Sequence, residues 1–467
     1  MARATSTVAS LALLLAPFTR AFGHSQDEPV CGRAPCGDLS SADADEMRVS
    51  MLQSRAAVPS SLSLSRRTLS PSEFGQGRQS PSSAYAIILD AGSSKTLCVV
   101  YRRSDYVKLG KVKGAALSTF HDAPCDAVPM IQDLLRGAQQ HISDENEQKR
   151  TPVWLRATAG VRLLQPAETD SIIDCLNTNL SQPGATNFSW QNAMVASGNM
   201  EAVYGSIAAN VGYVNGSTPE YVGTLEMGGA STQIAFMPAG QILNGEFIYH
   251  DTKMRPVHIY AKSYHRFGQV QGLYRSFDLL IHNALEGFDR TGVIEHPCLF
   301  KNFEVNYTTG GGTYMFRGTS DSDRCRDIAR ALMHSDYQCM LPPCAMMAIY
   351  QPEQSVFKKF HAVGAFYYAV KGLGLVKKRE SRRVTPRNIA ERLAEFCSQT
   401  IDELKQKGNI KYTKYLCFNG WFAHSILKSA HFEDDSDQIT FVKGASWTLG
   451  ALIFLTELDS MRAPAVV

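Results

Sequence analysis

Two short glycine-rich segments, each directly after an apolar run, constrain this chain more than any other feature. The first glycine segment, residues 90–96, reads Asp-Ala-Gly-Ser-Ser-Lys-Thr, and the second, residues 226–233, reads Glu-Met-Gly-Gly-Ala-Ser-Thr-Gln. The runs before them, Ala84–Leu89 and Tyr221–Leu225, have the composition of buried strands. Each segment therefore predicts a strand that ends in a carboxylate and a glycine turn.

Such a pair of segments suits a ligand that carries several phosphate groups. A carboxylate at a strand end can face a hydrated cation, and glycines let backbone N–H groups approach phosphate oxygens closely. Serine and threonine hydroxyls add further donors. One segment alone would be weak evidence, but two in one chain predict a site that holds a polyphosphate and its metal from two sides.

Further segments make a family resemblance specific. Residues 156–162 read Arg-Ala-Thr-Ala-Gly-Val-Arg, residues 197–205 read Ser-Gly-Asn-Met-Glu-Ala-Val-Tyr-Gly, and residues 446–451 read Ser-Trp-Thr-Leu-Gly-Ala. With the two glycine segments, in this order and spacing, they resemble the conserved regions of the nucleoside triphosphate diphosphohydrolase family, also called the apyrase or nucleoside phosphatase family. Two more segments that resemble the family are residues 259–264 and 362–368.

The alternation of strand-like and helical segments indicates an α/β fold. The resemblance implies more: two ribonuclease-H-like domains of the actin and sugar kinase superfamily, with the substrate in the cleft between them. In that arrangement the last helix returns to the first domain. We therefore predict a first domain of residues 84–196 plus 445–467 and a second of residues 197–444.

The resemblance also implies catalytic roles. Glu201 matches the base of the family, and Ser231 and Gln233 match the residues that hold the attacking water with it. Asp90 and Glu226 match two carboxylates that bind a divalent cation, Mg²⁺ or Ca²⁺, through water. The alternative for Glu201 is a carboxylate that merely favours a helix N-terminus.

Two positions depart from the family pattern. The family usually has Asp where this chain has Glu226, and the extra methylene moves the carboxylate outward by about 1.5 Å. Water-mediated coordination can absorb that shift, because Mg²⁺ retains several waters in sites of this kind. At Lys95 the family commonly has His or Gly, so this side chain either touches the terminal phosphate or is a solvated loop lysine.

The remaining predicted substrate contacts concern the base and the phosphates. Tyr368 matches the aromatic position on which the family stacks the nucleobase, and His431 lies near the counterpart on the other face; for Tyr367 a core role is equally open. Stacking tolerates any base, so broad base use follows. The predicted phosphate contacts are Gly92, Ser93, Ser94, Lys95, Thr96, Thr158, Gly228, Gly229, Ala230 and Ser231.

The N-terminus predicts the secretory route. Residues 1–23 combine an early positive charge, an apolar run over Val8–Phe18 and a small-x-small cleavage pattern, which predicts a signal peptide; the alternative is an uncleaved anchor. The run is too short to span a bilayer unaided, so we expect a secreted or lumenal (Golgi or ER) protein without a transmembrane anchor in the mature chain. Residues 24–83, rich in Ser, Arg, Gln and Pro, predict a disordered arm or propeptide.

Eleven cysteines in a secreted chain indicate disulfides. The resemblance pairs Cys339 with Cys344, Cys397 with Cys417 and Cys298 with Cys325, whereas Cys98, inside a predicted strand, is expected to be a buried thiol. A zinc site at Cys339 and Cys344 lacks partners of matching spacing. Glycosylation sequons, which predict a glycoprotein, stand at Asn179, Asn187, Asn215 and Asn306.

Three functions remain in view from the sequence. A formal charge of +3 gives no reason to expect nucleic acid as a partner. The leading hypothesis is a metal-dependent phosphatase of nucleoside tri- and diphosphates. An exopolyphosphatase-like enzyme of the same superfamily is disfavoured by the complete 156–162 segment and the secretory signal, and a non-catalytic nucleotide-binding protein by the intact Glu201, Ser231 and Gln233.

Overall fold

The computed structural model of the chain describes residues 83–214, 216–217, 220–251, 255–286, 292–354, 358–407, 413–444 and 446–462. The predicted signal peptide, nearly all of the predicted arm, Cys31, Cys36 and the sequon Asn215 lie outside these residues. All the described residues belong to one compact unit.

Strands and helices alternate along the described chain, which confirms the predicted α/β class. The strands are β1 (Tyr85–Ala91), β2 (Thr96–Arg102), β3 (Lys108–Gly114), β4 (Pro152–Ala157), β5 (Ser189–Val195), β6 (Gly223–Met227), β7 (Ser231–Phe236), β8 (Glu246–His250), β9 (Pro256–His265), β10 (Ile294–His296), β11 (Glu304–Thr309), β12 (Gly312–Gly318), β13 (Phe360–Gly364), β14 (Arg382–Arg383) and β15 (Ile439–Phe441). The helices are α1 (Ala127–Gln139), α2 (Glu145–Arg150), α3 (Pro166–Leu180), α4 (Gly198–Ala209), α5 (Val211–Val214), α6 (Gln269–Glu286), α7 (Ser322–Ala331), α8 (Ala365–Gly372), α9 (Pro386–Cys397), α10 (Ile401–Lys407), α11 (Leu416–Ser429) and α12 (Trp447–Arg462).

The first sheet has the order β3-β2-β1-β4-β5, with β1 antiparallel to β2 and parallel to β4. Ile87 and Leu89 of β1 pack towards α1 and α3, whereas Ala86 and Ile88 pack in a separate cluster with Leu452 of α12. Both faces of β1 are therefore covered, which explains why its sequence is an unbroken apolar run rather than an alternating one.

The second sheet has the order β14-β15-β13-β6-β7-β9-β8. Ala202 and Ile207 of α4 pack with Ala235 of β7 on one face. Residues of α6, α8, α9 and α11 join the large core cluster that contains Leu225 and Ile234. A third sheet has the order β10-β12-β11, and Phe316 of β12 joins the same core cluster. Like β1, β6 is buried on both faces, and it ends at the second glycine segment.

Helix α12 contacts both β1 of the first sheet and α4, which packs on the second sheet. Leu452 packs against β1, while Ile453 packs with residues of α4, and Gly450 lies directly against the Tyr204 carbonyl. The predicted return of the last helix to the first domain stays a prediction. The predicted division into residues 84–196 plus 445–467 and residues 197–444 stays a prediction.

The cysteines pair as the resemblance implies. Disulfides join Cys298 to Cys325, Cys339 to Cys344 and Cys397 to Cys417, and Cys98 is a buried free thiol. A fourth bond, Cys125–Cys175, was not predicted. Within the described residues, no helix is both long and apolar enough to cross a membrane.

Candidate active site

The two glycine segments form matching turns in their hairpins. In the first, between β1 and β2, the Gly92 backbone N–H donates to the Lys95 carbonyl at 3.0 Å. In the second, between β6 and β7, the Gly228 N–H donates to the Ser231 carbonyl at 2.9 Å. Both turns follow a strand whose last residues include a carboxylate, Asp90 or Glu226, as the sequence predicts.

The two turns lie against one another. A Cβ added to Gly229 would stand 2.6 Å from the Ser93 Oγ, so a side chain at this position would require the serine hydroxyl to turn away. The turn after β4 joins them, because Thr158 donates its backbone N–H to the Ala91 carbonyl at 3.0 Å. A Cβ on Gly160 would meet the Ser93 Cα at 2.4 Å. Three of the sequence segments that carry the family resemblance thus meet at one place.

Helix α6 holds the backbone of the second glycine segment, a contact that the sequence did not suggest. The Gln269 N–H donates to the Gly228 carbonyl at 3.0 Å, and the N–H groups of Val270 and Gln271 donate to the Gly229 carbonyl at 3.0 and 3.1 Å. The first turn of α6 has no intrahelical acceptors for these N–H groups, so the glycine segment satisfies them.

The predicted phosphate contacts differ in exposure. Ser94 and Gly228 are exposed, Gly92, Ser93, Lys95 and Gly229 are half-buried, and Thr96, Thr158, Ala230 and Ser231 are buried.

Three carboxylates lie within electrostatic range of one another. Burial, then the charge of Glu201, raises the pKa of Asp90 to about 7, and the Lys95 charge lowers it in part. Burial, followed by the charges of Glu201 and Asp90, raises the pKa of Glu226 to about 8. Glu226 also lies beside α4, because a Cβ on Gly205 would stand 3.2 Å from its Oε2.

This concentration of negative charge fits a cation, because carboxylates that repel one another are relieved by a nearby positive charge. Oxygen atoms are the donors that Mg²⁺ and Ca²⁺ prefer. Among the residues that the structure describes, no three His, Cys, Asp or Glu side chains form a group able to ligate one metal ion.

Glu201 lies in the first turn of α4 and is 7% exposed. Its Oε2 accepts a 2.7 Å ion-paired hydrogen bond from the Arg162 guanidinium, which also donates to the Ala196 carbonyl at 2.6 Å. Burial raises the pKa of Glu201 and the Arg162 charge opposes that rise. The helix itself is capped by Ser197, whose side chain accepts from the Met200 N–H, so Glu201 does not serve as the cap.

Ser231 and Gln233 lie together on β7 and are 3% and 4% exposed. The Gln233 Nε2 donates to the Ser231 Oγ at 2.7 Å and to the Ser263 Oγ at 3.1 Å. Strand register places Gln233 directly between Glu226 on β6 and Ser263 on β9. Neither Ser263 nor Arg162 was singled out from the sequence, although each lies in a segment that resembles the family.

The predicted base-stacking positions are exposed. Tyr368 on α8 is 57% exposed, and His431 is also exposed. Helix α8 starts beside the second glycine segment, because Gly364 before it abuts the Met227 carbonyl. Tyr367, in contrast, is buried and its hydroxyl donates to the Lys377 carbonyl at 3.2 Å, which favours the core role for that residue. The stacking roles of Tyr368 and His431 stay predictions.

Comparison with known proteins identifies the family of the chain. The profile of the GDA1/CD39 (nucleoside phosphatase) family matches residues 77–465. The chain is similar to ectonucleoside triphosphate diphosphohydrolase 1 of Bos taurus, with 27% identity over 440 residues that cover 81% of this chain and 82% of that protein. It is likewise similar to ectonucleoside triphosphate diphosphohydrolase 2 of Rattus norvegicus, with 28% identity over 443 residues that cover 83% and 86%.

A solved structure of nucleoside triphosphate hydrolases from Neospora caninum shares the fold, with a TM-score of 0.55 at 18% identity, over 80% of this chain and 93% of that one. The family match spans most of the chain and confirms the predicted enzyme class, a nucleoside phosphatase of the apyrase type. The chain belongs to the GDA1/CD39 nucleoside phosphatase family.

Proposed function

We propose that this protein hydrolyses the terminal phosphoanhydride bond of nucleoside tri- and diphosphates with the help of a divalent cation, and that Glu201 activates the attacking water. The observation that carries the proposal is the meeting of two glycine turns, at Ser93 and Gly229, beside the three carboxylates Asp90, Glu201 and Glu226. Phosphoryl transfer needs positioned phosphates, neutralised charge and an oriented water, and each requirement has a candidate group here.

Asp90 and Glu226 would hold the cation, Mg²⁺ or Ca²⁺, through bound water. Bound there, the cation would neutralise charge on the phosphate chain, which otherwise repels both water and base. The backbone N–H groups of the two glycine segments would take the phosphate oxygens. Lys95, close enough to Asp90 to lower its pKa, would add positive charge on the same side.

Glu201 would accept a proton from the water as its oxygen attacks the terminal phosphorus. The bond from phosphorus to the bridging oxygen breaks, and the shortened nucleotide leaves with the electron pair. Arg162 favours the ionised, proton-accepting form of Glu201 against the effect of burial. Ser231 and Gln233 would orient the water, since both are buried beside this carboxylate-rich region and hydrogen-bonded to each other.

The nucleoside would lie between Tyr368 and His431, with little selectivity among bases because every base has a stacking face. We place the protein outside the cell or in the lumen of the secretory pathway. Four disulfides among the described residues support this location, since such bonds persist in oxidising compartments.

The test is phosphate release by the purified full chain from ATP, ADP, GDP, UDP and inorganic polyphosphate, with Mg²⁺, with Ca²⁺ and with a chelator. We expect release from the nucleotides only when a cation is present. Preferential release from polyphosphate would favour an exopolyphosphatase. Absence of turnover on every substrate, with retained nucleotide binding, would favour a non-catalytic protein.

A further inference from the structure

Ser263 lies between Gln233, which we propose orients the attacking water, and the helix that carries Glu201. It lies on β9 opposite Gln233 of β7, and its Oγ accepts from the Gln233 Nε2 at 3.1 Å. Residues that pair across neighbouring strands project to the same face of a sheet, so Glu226, Gln233 and Ser263 form one row. The resemblance to the family implies no role for Ser263.

Ser263 is also fixed against the helix that carries Glu201. Its backbone N–H donates to the Asn199 Oδ1 at 2.9 Å. A Cβ added to Gly198 would stand 2.3 Å from the Ser263 Oγ, so the start of α4 lies directly on this hydroxyl. Ser263 therefore connects the strand of Gln233 to the first turn of α4, where Glu201 lies.

The donors and acceptor of the Gln233 amide show what its hydrogen bond with Ser263 does. A glutamine amide has two hydrogens on nitrogen and one acceptor oxygen. One hydrogen goes to the Ser231 Oγ and the other to the Ser263 Oγ. Both donors are thus used inside the protein, and the Oε1 receives no side-chain hydrogen bond from the described residues. With the amide held in this orientation, Gln233 can only accept from a ligand.

We propose that Ser263 is a positioning residue that locks the Gln233 amide with its Oε1 towards the attacking water. The inference rests on the proposed function. In this arrangement the water donates one hydrogen to Glu201 and the other to the Gln233 Oε1. Ser231, which accepts from Gln233, keeps its own hydrogen to donate to the water oxygen. The remaining lone pair of the water is then directed at the terminal phosphorus.

Without Ser263, one amide hydrogen of Gln233 loses its partner, and the amide can turn to present nitrogen to the water. The attacking water would then face the Gln233 amide nitrogen, a second donor beside the Ser231 hydroxyl, and its second hydrogen would have no acceptor. The expected effect is a loss of rate with little change in substrate affinity, because Ser263 acts through Gln233 and does not touch the nucleotide.

The test is a double-mutant cycle with steady-state hydrolysis of ATP in the presence of Mg²⁺, using the wild type, Ser263→Ala, Gln233→Ala and the double variant. We expect Ser263→Ala to lower kcat about tenfold, the rate equivalent of one hydrogen bond, with KM within about twofold of the wild type. In the Gln233→Ala background, Ser263→Ala should cause no further loss. Ser263→Cys, which keeps a weak acceptor of similar size, should fall between serine and alanine.

Lys262→Met is the matched control, because Lys262 is the preceding residue of β9 and projects to the opposite face. It should leave kcat unchanged. The inference is overturned if Ser263→Ala is as active as the wild type, or if it lowers kcat by the same factor with and without Gln233. The proposed function fails separately, when the wild type itself releases no phosphate or Glu201→Gln remains fully active.

Discussion

Arg162 is the residue that sets the ionisation of Glu201. Burial in a carboxylate-rich region raises the pKa of Glu201, while the 2.7 Å ion pair with Arg162 lowers it. A general base works only in its ionised form, so the proposed mechanism depends on this pair. The second bond of the guanidinium, to the Ala196 carbonyl, holds the arginine in place at the entry to α4.

Arg162→Met should therefore shift the pH dependence of the reaction. Without the arginine charge the pKa of Glu201 rises, so the acid side of the kcat profile should move to higher pH. The loss of activity should be larger at pH 6 than at pH 8.5. Arg136→Met, on the exposed surface of α1, provides the control. A uniform loss at every pH would mean that Arg162 has only a structural role.

Glu226 is the position where this chain departs from the family that it resembles. If its carboxylate holds the cation through water, Glu226→Asp should keep or raise the activity and change the ratio of Mg²⁺- to Ca²⁺-supported rates. Glu226→Ala should lose most activity while the fold survives, because the side chain is half-buried at the site and outside the hydrophobic core clusters. Equal activity of all three proteins would remove Glu226 from the cation site.

The motifs predicted Glu201, Ser231 and Gln233, and the structure brings these residues into one region with Asp90 and Glu226. They could be predicted because each lies in a short segment of recognisable residues. Arg162 and Ser263 lie in such segments too, but the sequence did not show their contacts, because their partners lie 39 and 30 residues away in the chain. Such contacts depend on how the strands and helices pack, and no local pattern encodes them.

At the scale of secondary-structure elements, the site depends on how closely the turns after β1, β4 and β6 approach. Gly160 shows why glycine is needed. Its backbone has ordinary helical angles, φ −63° and ψ −41°, so conformational freedom is not the reason. The reason is contact, since a Cβ there would meet the backbone Cα of Ser93 at 2.4 Å. Backbone cannot move aside as the end of a flexible side chain can.

Gly160→Ala should therefore displace the first glycine segment. We expect kcat/KM to fall at least about tenfold, since a shift of 1 Å at a reacting centre can cost more than that. Overpacking should lower the free energy of unfolding by about 1–3 kcal/mol. Gly240→Ala is the control, because no atom of the described residues beyond its two chain neighbours lies within 4 Å of a Cβ at that site. Wild-type kinetics in Gly160→Ala would show that the approach of the turns is unimportant.

Strands could be predicted from the sequence where both of their faces are buried, because such strands are unbroken apolar runs. The apolar runs before both glycine segments became β1 and β6, and Cys98, expected inside a strand, lies in β2. The docking of α6 on the second glycine segment and the Cys125–Cys175 disulfide were not predicted. Both depend on distances between elements, and cysteine pairing in particular requires Cα atoms that approach within about 7 Å.

At the scale of the whole molecule, His296 couples the stability of the fold to pH. It is fully buried, its Nδ1 accepts from the Cys298 N–H at 3.2 Å, and its other ring nitrogen lies 3.0 Å from the Ser276 Oγ. Both nitrogens are engaged in the neutral form. Burial lowers the pKa of His296 from the ordinary 6.5 to about 3.

Between pH 6.5 and 3 the unfolded chain binds a proton at this histidine and the folded chain does not. Stability from His296 is thus fully present above pH 6.5 and is lost as pH falls, by up to about 1.4 kcal/mol per pH unit. His296→Gln should flatten the dependence of unfolding free energy on pH between 6.5 and 4.5, measured by urea unfolding with disulfides intact. His250→Gln, at an exposed histidine, should leave the slope as in the wild type. An unchanged slope in His296→Gln would contradict this assignment.

The most direct measurement of the central claim is single-turnover hydrolysis of Mg²⁺–ATP by Glu201→Gln beside the wild type, with nucleotide affinity measured on the same samples. The substitution keeps the size of the side chain and removes its ability to take a proton. We predict that nucleotide affinity stays within about threefold, while the rate of phosphate release falls by about 10²-fold or more, the usual effect of losing a general base. Near wild-type turnover by Glu201→Gln would contradict the account.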